Sequence, residues 1–233
     1  MPRKKTREPQ YQETITIAET QGLARFGLMS NQVWHDDPRR LVFLLSRYKF
    51  VAKMLSGKKR VLELGCADAF GSRVVRQEVE SLLCTDFDPV FIEDAKSRPQ
   101  GPWPMEFRVH DILEGPVRSS DPDAPQGRFD AAYTLDVIEH IEAEHERTFV
   151  SNLAKSLTPQ GVLIVGMPSL ESQAWASPAS KEGHVNCMSG GPFRTLLEDF
   201  FHNVFLFSMN DEMVHTGFSP MAHYLIGLCV GPK

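Results

Sequence analysis

Val61-Leu-Glu-Leu-Gly-Cys-Ala-Asp-Ala-Phe-Gly-Ser72 is the stretch on which the reading of this 233-residue sequence turns. Arg60-Val-Leu-Glu-Leu64 reads as a short apolar strand, and a helical pattern runs from Ser72 to Val79. The residues between them form a tight loop of small side chains. A helix starting behind such a loop presents its first backbone N–H groups to a carboxylate or phosphate. Asp86 lies 21 residues past Gly65, just after a second apolar strand, Ser81-Leu-Leu-Cys-Thr85. In a Rossmann-type unit an acidic residue about 20 positions beyond the first glycine is placed to accept both hydroxyls of a ribose. No Gly-x-Gly-x-x-Gly is present, which argues against a dinucleotide.

Outward from this unit, strand and helix signals alternate. A helix from about Pro89 to Lys96 precedes a third strand, Phe107–Val109. After a Pro-, Asp- and Ser-rich loop come a fourth strand, Phe129–Thr134, a helix over Ala143–Leu157, and a fifth strand, Gly161–Gly166. Such alternation predicts a mostly parallel sheet with helices on both faces. Asn203–Phe207 and His223–Val230 read as an antiparallel pair closing one edge. On the N-terminal side, Asp36-Asp37-Pro38 starts a helix. Leu41, Leu44, Leu45, Tyr48, Val51, Ala52 and Leu55 then recur at helical spacing, and Gly57 stops it. Residues 1 to about 22 are polar and show no periodicity. The expected organisation is a flexible arm and cap segment over 1–35 and a single α/β domain over 36–233.

The composition narrows the class. No apolar run reaches the roughly 18–20 residues of a membrane span, so no membrane partner is expected. The basic start, Met1-Pro-Arg-Lys-Lys-Thr-Arg7, has no apolar segment behind it, and the cytoplasm is the expected location. Cys66, Cys84, Cys187 and Cys229 are scattered and read as reduced, small hydrophobic residues. The net charge of −5 opposes a nucleic-acid footprint. The arginines and lysines between Arg39 and Arg60 read as the solvated face of a helix.

Glu63-Leu-Gly-Cys-Ala-Asp-Ala-Phe-Gly71 resembles the first motif of the class I S-adenosylmethionine-dependent methyltransferases, Asp/Glu-x-Gly-x-Gly-x-Gly. Thr85-Asp-Phe-Asp-Pro89 is similar to their second-strand end, and Phe129 to Ile141 to their fourth-strand motif. Leu157-Thr-Pro-Gln-Gly-Val-Leu163 is similar to their turn into strand five. The resemblance spans roughly residues 58 to 168, in the family's order, and implies a Rossmann-like sheet with an antiparallel last strand. It implies S-adenosylmethionine as cofactor, contacted by the loop residues Gly65, Cys66, Ala67 and Gly71. Glu63 would orient the loop or the bound ammonium group. Asp86 would take the ribose, Phe87 would pack on the adenine, and Asp111 and Ile112 would meet the adenine from strand three. Two family glycines are Ala67 and Ala69 here, and alanine at these positions predicts φ below zero.

Methyl transfer to a hydroxyl needs alignment and a means of removing the acceptor's proton. Asp136-Val-Ile-Glu-His140 follows the fourth strand, at the edge where open α/β sheets bind ligands. If it makes one helical turn, Asp136 shares a face with Glu139 or His140. Taken alone, Glu139 and His140 read as residues that shape the turn. His184 lies in a long polar segment, 168–191, expected as a substrate lid with Trp175. Trp34 is a second candidate for acceptor contact. An acidic-x-x-Glu-His motif with a distant His resembles the ubiquinone-pathway O-methyltransferases and the small-RNA 2′-O-methyltransferases. That resemblance implies that Asp136, Glu139, His140 and His184 hold a divalent metal. The donor types favour Mn²⁺, Fe²⁺ or Zn²⁺, and the family favours Mg²⁺. Without metal, Asp136, His140 and His184 are the candidate acid–base residues.

The expected function is O-methylation of a small-molecule acceptor. RNA 2′-O-methylation and a catalytically silent cofactor-binding scaffold are the alternatives, and the oligomeric state is left open. If Asp86 grips the ribose, Asp86→Ala weakens S-adenosylmethionine binding by roughly 1.5–3 kcal/mol, the value of hydrogen bonds to a charged acceptor. Calorimetry that returned wild-type affinity would refute the assignment.

Overall fold

The computed structural model describes residues 5–233; the first four residues of the expected arm lie outside the described residues. Three helices open the chain: α1 (Gln12–Gln21), α2 (Leu28–Asp36) and α3 (Arg39–Met54). The alternating part follows as β1 (Arg60–Leu64), α4 (Ser72–Arg76), β2 (Ser81–Asp86), α5 (Pro89–Ser97) and β3 (Glu106–Val109). It continues through β4 (Phe129–Leu135), α6 (Glu146–Ser156), β5 (Leu157–Pro168), α7 (Pro178–Gly183) and α8 (Gly190–Glu198). The chain closes with β6 (Phe201–Asn210), β7 (Met213–His215) and β8 (Tyr224–Pro232). No helix of the described residues is long and apolar enough to cross a membrane.

The eight strands form one sheet in the order β3-β2-β1-β4-β5-β8-β6-β7. The five from β3 to β5 are parallel, and β8, β6 and β7 pair antiparallel. This is the expected Rossmann-like sheet with its antiparallel end. The edge strand β7 spans three residues, too few to show an alternating pattern in the sequence. Strand order reverses between β1 and β4, and a crevice opens there, beyond the carboxyl ends of the strands.

Period-two alternation sends successive strand residues to opposite faces. Leu62 and Leu64 of β1 pack with Phe149, Val150 and Leu153 of α6 and Phe193 and Leu197 of α8. Val61 faces the other way, toward Tyr48 and Val51 of α3, Val75 of α4 and Ile92 of α5. A fully buried Leu of this kind, such as Leu62, is worth roughly 1.5–3 kcal/mol of burial. The α8 signal was present in the sequence as Phe193, Leu196 and Leu197, three buried residues at i, i+3 and i+4.

The N-terminal segment differs from the irregular arm expected for residues 1 to 22, because α1 is helical and α2 follows it. The physical tie of α2 is tertiary. The Ser30 backbone N–H donates to Asp68 Oδ2 at 2.6 Å and the Ser30 hydroxyl to Asp68 Oδ1 at 3.2 Å, both buried. A side chain at Gly27 would meet Asp68 Cβ at 2.3 Å, so glycine is required for this approach. Phe26 adds an edge-on contact with Phe70, at 5.1 Å between ring centres.

The loop between β1 and α4 corrects the expectation for its alanines. Ala67 has φ +44° and Ala69 φ +53°, both left-handed. Each costs on the order of 1–2 kcal/mol for a residue with a Cβ. Hydrogen bonds offset this strain: Ala67 N–H donates to Asp86 Oδ2 at 2.8 Å, and Phe70 N–H to Asp68 Oδ1 at 3.0 Å. Asp68→Ala leaves the buried Ser30 and Phe70 donors without their charged acceptor. We expect a loss of roughly 1.5–3 kcal/mol in urea unfolding; an unchanged midpoint would show that the loop holds its shape without it.

Candidate functional site

A cleft of about 490 Å³ sits at the strand-order reversal. Gly65, Ala67, Asp86, Phe87, Asp111 and Ile112 line it, together with Met29 of α2 and His110, Asp136, Val137 and His140. Gly65, at φ +72°, has no room for a side chain, since a Cβ would lie 2.2 Å from Val137 Cγ2. Asp86 accepts Ala67 N–H at Oδ2 (2.8 Å) and Asp88 N–H at Oδ1 (3.0 Å). Each carboxylate oxygen can accept a second bond. Phe87 is 73% exposed and offers an uncovered ring face at the rim. Asp111 caps the short turn Ile112–Glu114 by accepting Leu113 N–H at 2.8 Å.

Three of the residues expected to contact cofactor are absent from this lining. Glu63 is buried behind the loop, where its carboxylate accepts the Tyr48 hydroxyl at 2.9 Å and the Cys84 thiol at 3.4 Å. Burial raises its pKa above the ordinary carboxylate range. It ties α3 to β1 and acts on the cleft through the loop. Cys66 is buried, its thiol against the Ala67 carbonyl. Gly71 faces Tyr48, whose ring a Cβ would meet at 2.3 Å. Met29, Val137 and the Ser30–Asp68 tie escaped the sequence reading. The one signal that could have found the tie is a carboxylate, Asp68, inside a loop of small residues.

At the end of β4 the four-residue cluster expected from the sequence separates into two groups. Asp136 takes φ +57° and leaves the strand, and both its oxygens accept from Arg47 Nη1, at 2.8 and 2.7 Å. The Arg47 guanidinium lies 3.8 Å over the Tyr224 ring. Ile138–His140 is a single 3₁₀ turn that begins after Asp136, so the α-helical spacing that would stack Asp136 on Glu139 does not arise. Asp136 is therefore engaged by Arg47 and stands outside the second group.

That second group is Glu139, His140 and His184, with one donor atom of each within 4.8 Å of the others. The two imidazoles meet at 5.1 Å between ring centres. His140 Nδ1 lies 2.8 Å from the Gly183 carbonyl, and a carbonyl only accepts. Nδ1 thus carries the proton, and Nε2 of the neutral ring keeps its lone pair. His184 Nδ1 meets Gln173 Oε1 at 2.9 Å with the same consequence. Burial, and then the neighbouring His140, lower the His184 pKa, which favours the neutral ring. Both Glu139 oxygens are buried without a hydrogen-bond partner. Burial, reinforced by the Asp136 charge, raises the Glu139 pKa well above the usual range. These donors could hold a divalent cation through three protein ligands.

Segment 168–191 carries Gln173 and His184 and has structure of its own: the turn Glu171–Trp175, helix α7 and the start of α8. It is tied down by the Ser169 hydroxyl on the Ala222 carbonyl (2.6 Å) and by Asn186 N–H on the Glu139 carbonyl (3.0 Å). Trp175 is 84% exposed, and Trp34, expected in a loop, belongs to α2 and packs on Phe26.

The chain belongs to a methyltransferase family, whose profile, described as a methyltransferase domain, matches residues 33–200. With the sheet order and the cleft, this makes the protein a class I S-adenosylmethionine-dependent methyltransferase. No curated protein matches the sequence significantly. Among solved structures, the methyltransferase domain of a bacterial Hen1 (CtHen1) is similar, with TM-score 0.64 and 17% identity over 82% of this chain and 100% of that one. The N-methyltransferase NodS of Bradyrhizobium japonicum, in complex with S-adenosylhomocysteine, gives TM-score 0.58 and 19% identity over 86% and 91%. Magnesium protoporphyrin IX methyltransferase of Synechocystis gives 0.55 and 15% over 95% and 94%. At these identities the likeness is one of fold.

The buried Glu139 sets a pH dependence. In metal-free protein the folded state holds a proton on Glu139 that the unfolded chain gives up at lower pH. Stability is therefore lost as pH rises from the ordinary carboxylate range through the raised folded value. Glu139→Gln removes that loss. Urea unfolding with EDTA should find the variant more stable than wild type at neutral pH, with the two converging in acid. Parallel pH profiles would contradict the burial argument.

Proposed function

We propose that the protein methylates a hydroxyl group of a small molecule, with Glu139, His140 and His184 providing a divalent-cation site beside the cleft. One observation carries this reading: a ring nitrogen of each of two imidazoles and an oxygen of a buried, unpartnered carboxylate lie within 4.8 Å of one another. A carboxylate in that state is costly to ionise unless a positive charge joins it.

Asp86 is assigned to the ribose hydroxyls, Phe87 to the adenine face, and Asp111 to the adenine amine. The backbone at Gly65 and Ala67 is assigned to the methionine end. Gly65 permits that approach by carrying no side chain, and Asp86 fixes the loop through Ala67 N–H. When bound, S-adenosylmethionine supplies an activated methyl group and a divalent cation supplies acidity to an acceptor hydroxyl. Segment 168–191 would cover the acceptor and exclude water, moving as a lid. The Arg47–Asp136 pair, stacked on Tyr224, forms a rigid wall between α3 and the end of β4. With carboxylate and imidazole donors, Mn²⁺, Fe²⁺ and Zn²⁺ suit the set better than Mg²⁺. In the absence of metal, Nε2 of His140 or His184 is placed to take the acceptor proton, a contribution of about 10²–10⁴-fold.

Chelation separates these cases. With metal, EDTA abolishes turnover, added divalent ions restore it, and His184→Ala and Glu139→Ala are each nearly inactive. With a lone base, EDTA has no effect and only one of His140→Ala and His184→Ala is severe. Full activity of both histidine variants in EDTA would remove the cluster from the chemistry. Salt-sensitive retardation of RNA in a gel would move the acceptor to a 2′-hydroxyl, against the net charge of −5. Cofactor binding without product from any acceptor would favour a silent scaffold.

A further inference from the structure

A cavity larger than the cleft described above lies apart from it. A groove of about 910 Å³ runs along the α4–α5 face. Its walls are α1 with the following 22–25 segment on one side and the 99–103 loop on the other. Its floor is apolar, built from Leu45, Phe70, Val74, Met105 and Phe107, with Trp103 at the edge. Leu23 is 80% exposed on the rim, and α1 buries none of its residues. Apolar surface left open on this scale marks a binding groove more often than idle surface.

The charge around the floor has one sign. Arg25, Arg73 and Arg98 line the groove, and no Asp or Glu does. Arg98 is spent on Asp94 and the Asp68 carbonyl. Arg73 gives Nη1 to the Gln100 carbonyl at 2.8 Å and lies 5.1 Å over the Trp103 ring. Among the described residues neither Arg73 nor Arg25 is paired with a carboxylate. Two uncompensated guanidiniums over an aromatic and aliphatic floor select a ligand with an apolar body and an anionic head.

We propose that this groove is a second ligand site of the protein, for a small amphipathic anion, separate from the cofactor cleft. No residue lines both cavities. They lie on opposite sides of one loop: Gly65 and Ala67 face the cleft, Ala69 and Phe70 face the groove, and Asp68 is pinned between them by Ser30. A ligand that presses on Phe70 and Ala69 therefore acts on the strained backbone that also shapes the cleft. Any such coupling is reciprocal, so cofactor would change the affinity of the groove by the same factor as the groove ligand changes that of cofactor.

The test uses the full chain and anilinonaphthalene sulfonate, a fluorescent aromatic anion. We expect one saturable site, from which decanoate displaces the probe and decanol at equal concentration does not. Arg73→Gln should weaken probe binding about tenfold or more, the loss of a charge-assisted contact. Leu23→Glu, on the solvent-exposed rim where folding is not at risk, should weaken it through charge alone. Phe87→Ala, at the exposed rim of the cofactor cleft and outside the loop, should leave it unchanged. No saturable binding, equal displacement by decanol, or wild-type affinity in Leu23→Glu would overturn the proposal. So would loss of the probe signal in Phe87→Ala, which would place the probe in the cofactor cleft. None of these readouts requires that the protein bind S-adenosylmethionine, so the groove and the cofactor assignment fail separately.

Discussion

Ala67 and Ala69 hold left-handed backbone conformations that alanine disfavours, and they do so because Asp68 and Asp86 grip the loop from both ends. The shape of that loop governs much of the molecule. It leaves Gly65 bare against Val137, which brings the end of β4 up to the floor of the cleft. It turns Asp68 and Phe70 to meet the N-terminal segment at Ser30 and Phe26. Strain of this kind persists only where surrounding structure over-determines it, and such places cluster at functional sites.

Glu139 stands against the ordinary rules of a stable core. A core built for stability alone would not bury a carboxylate with neither oxygen bonded. Nor would it hold two imidazoles by Nδ1 with a ring nitrogen of each within 4.8 Å of that carboxylate. The elements that supply these groups are distant in sequence: the turn after β4 gives Glu139 and His140, and the segment after β5 gives His184. The two are clamped by the Gly183 and Glu139 carbonyls, each accepting from the other segment. The two segments are thus joined through backbone carbonyls, and the Gln173 side chain adds the orientation of His184.

Arg47 partly offsets a neighbouring charge at that site. By engaging both oxygens of Asp136 over the Tyr224 ring, it counters a carboxylate whose charge is felt at Glu139 and links α3, β4 and β8 at one point. An unpaired Asp136 would raise the cost of a second negative charge at Glu139.

The sequence by itself determined the strand–helix alternation, a mostly parallel sheet with helices on both faces and the antiparallel end, because these follow from apolar periodicity and from turns between adjacent elements. Through the resemblance of its motifs to those of the class I methyltransferases it also picked out Gly65, Ala67, Asp86, Phe87, Asp111 and Ile112, which line one cleft, and Glu63, Cys66 and Gly71, which do not. It did not give α2, whose anchorage is a contact between Ser30 and Asp68, 38 residues apart. It did not give φ above zero at Ala67 and Ala69, because local preference opposes it and only long-range bonds impose it. It grouped Asp136 with Glu139 and His140 from their nearness along the chain. The tertiary structure divided them, because a left-handed residue and a 3₁₀ turn point side chains where no helical repeat would, and because Arg47, 89 residues away, reaches Asp136 first.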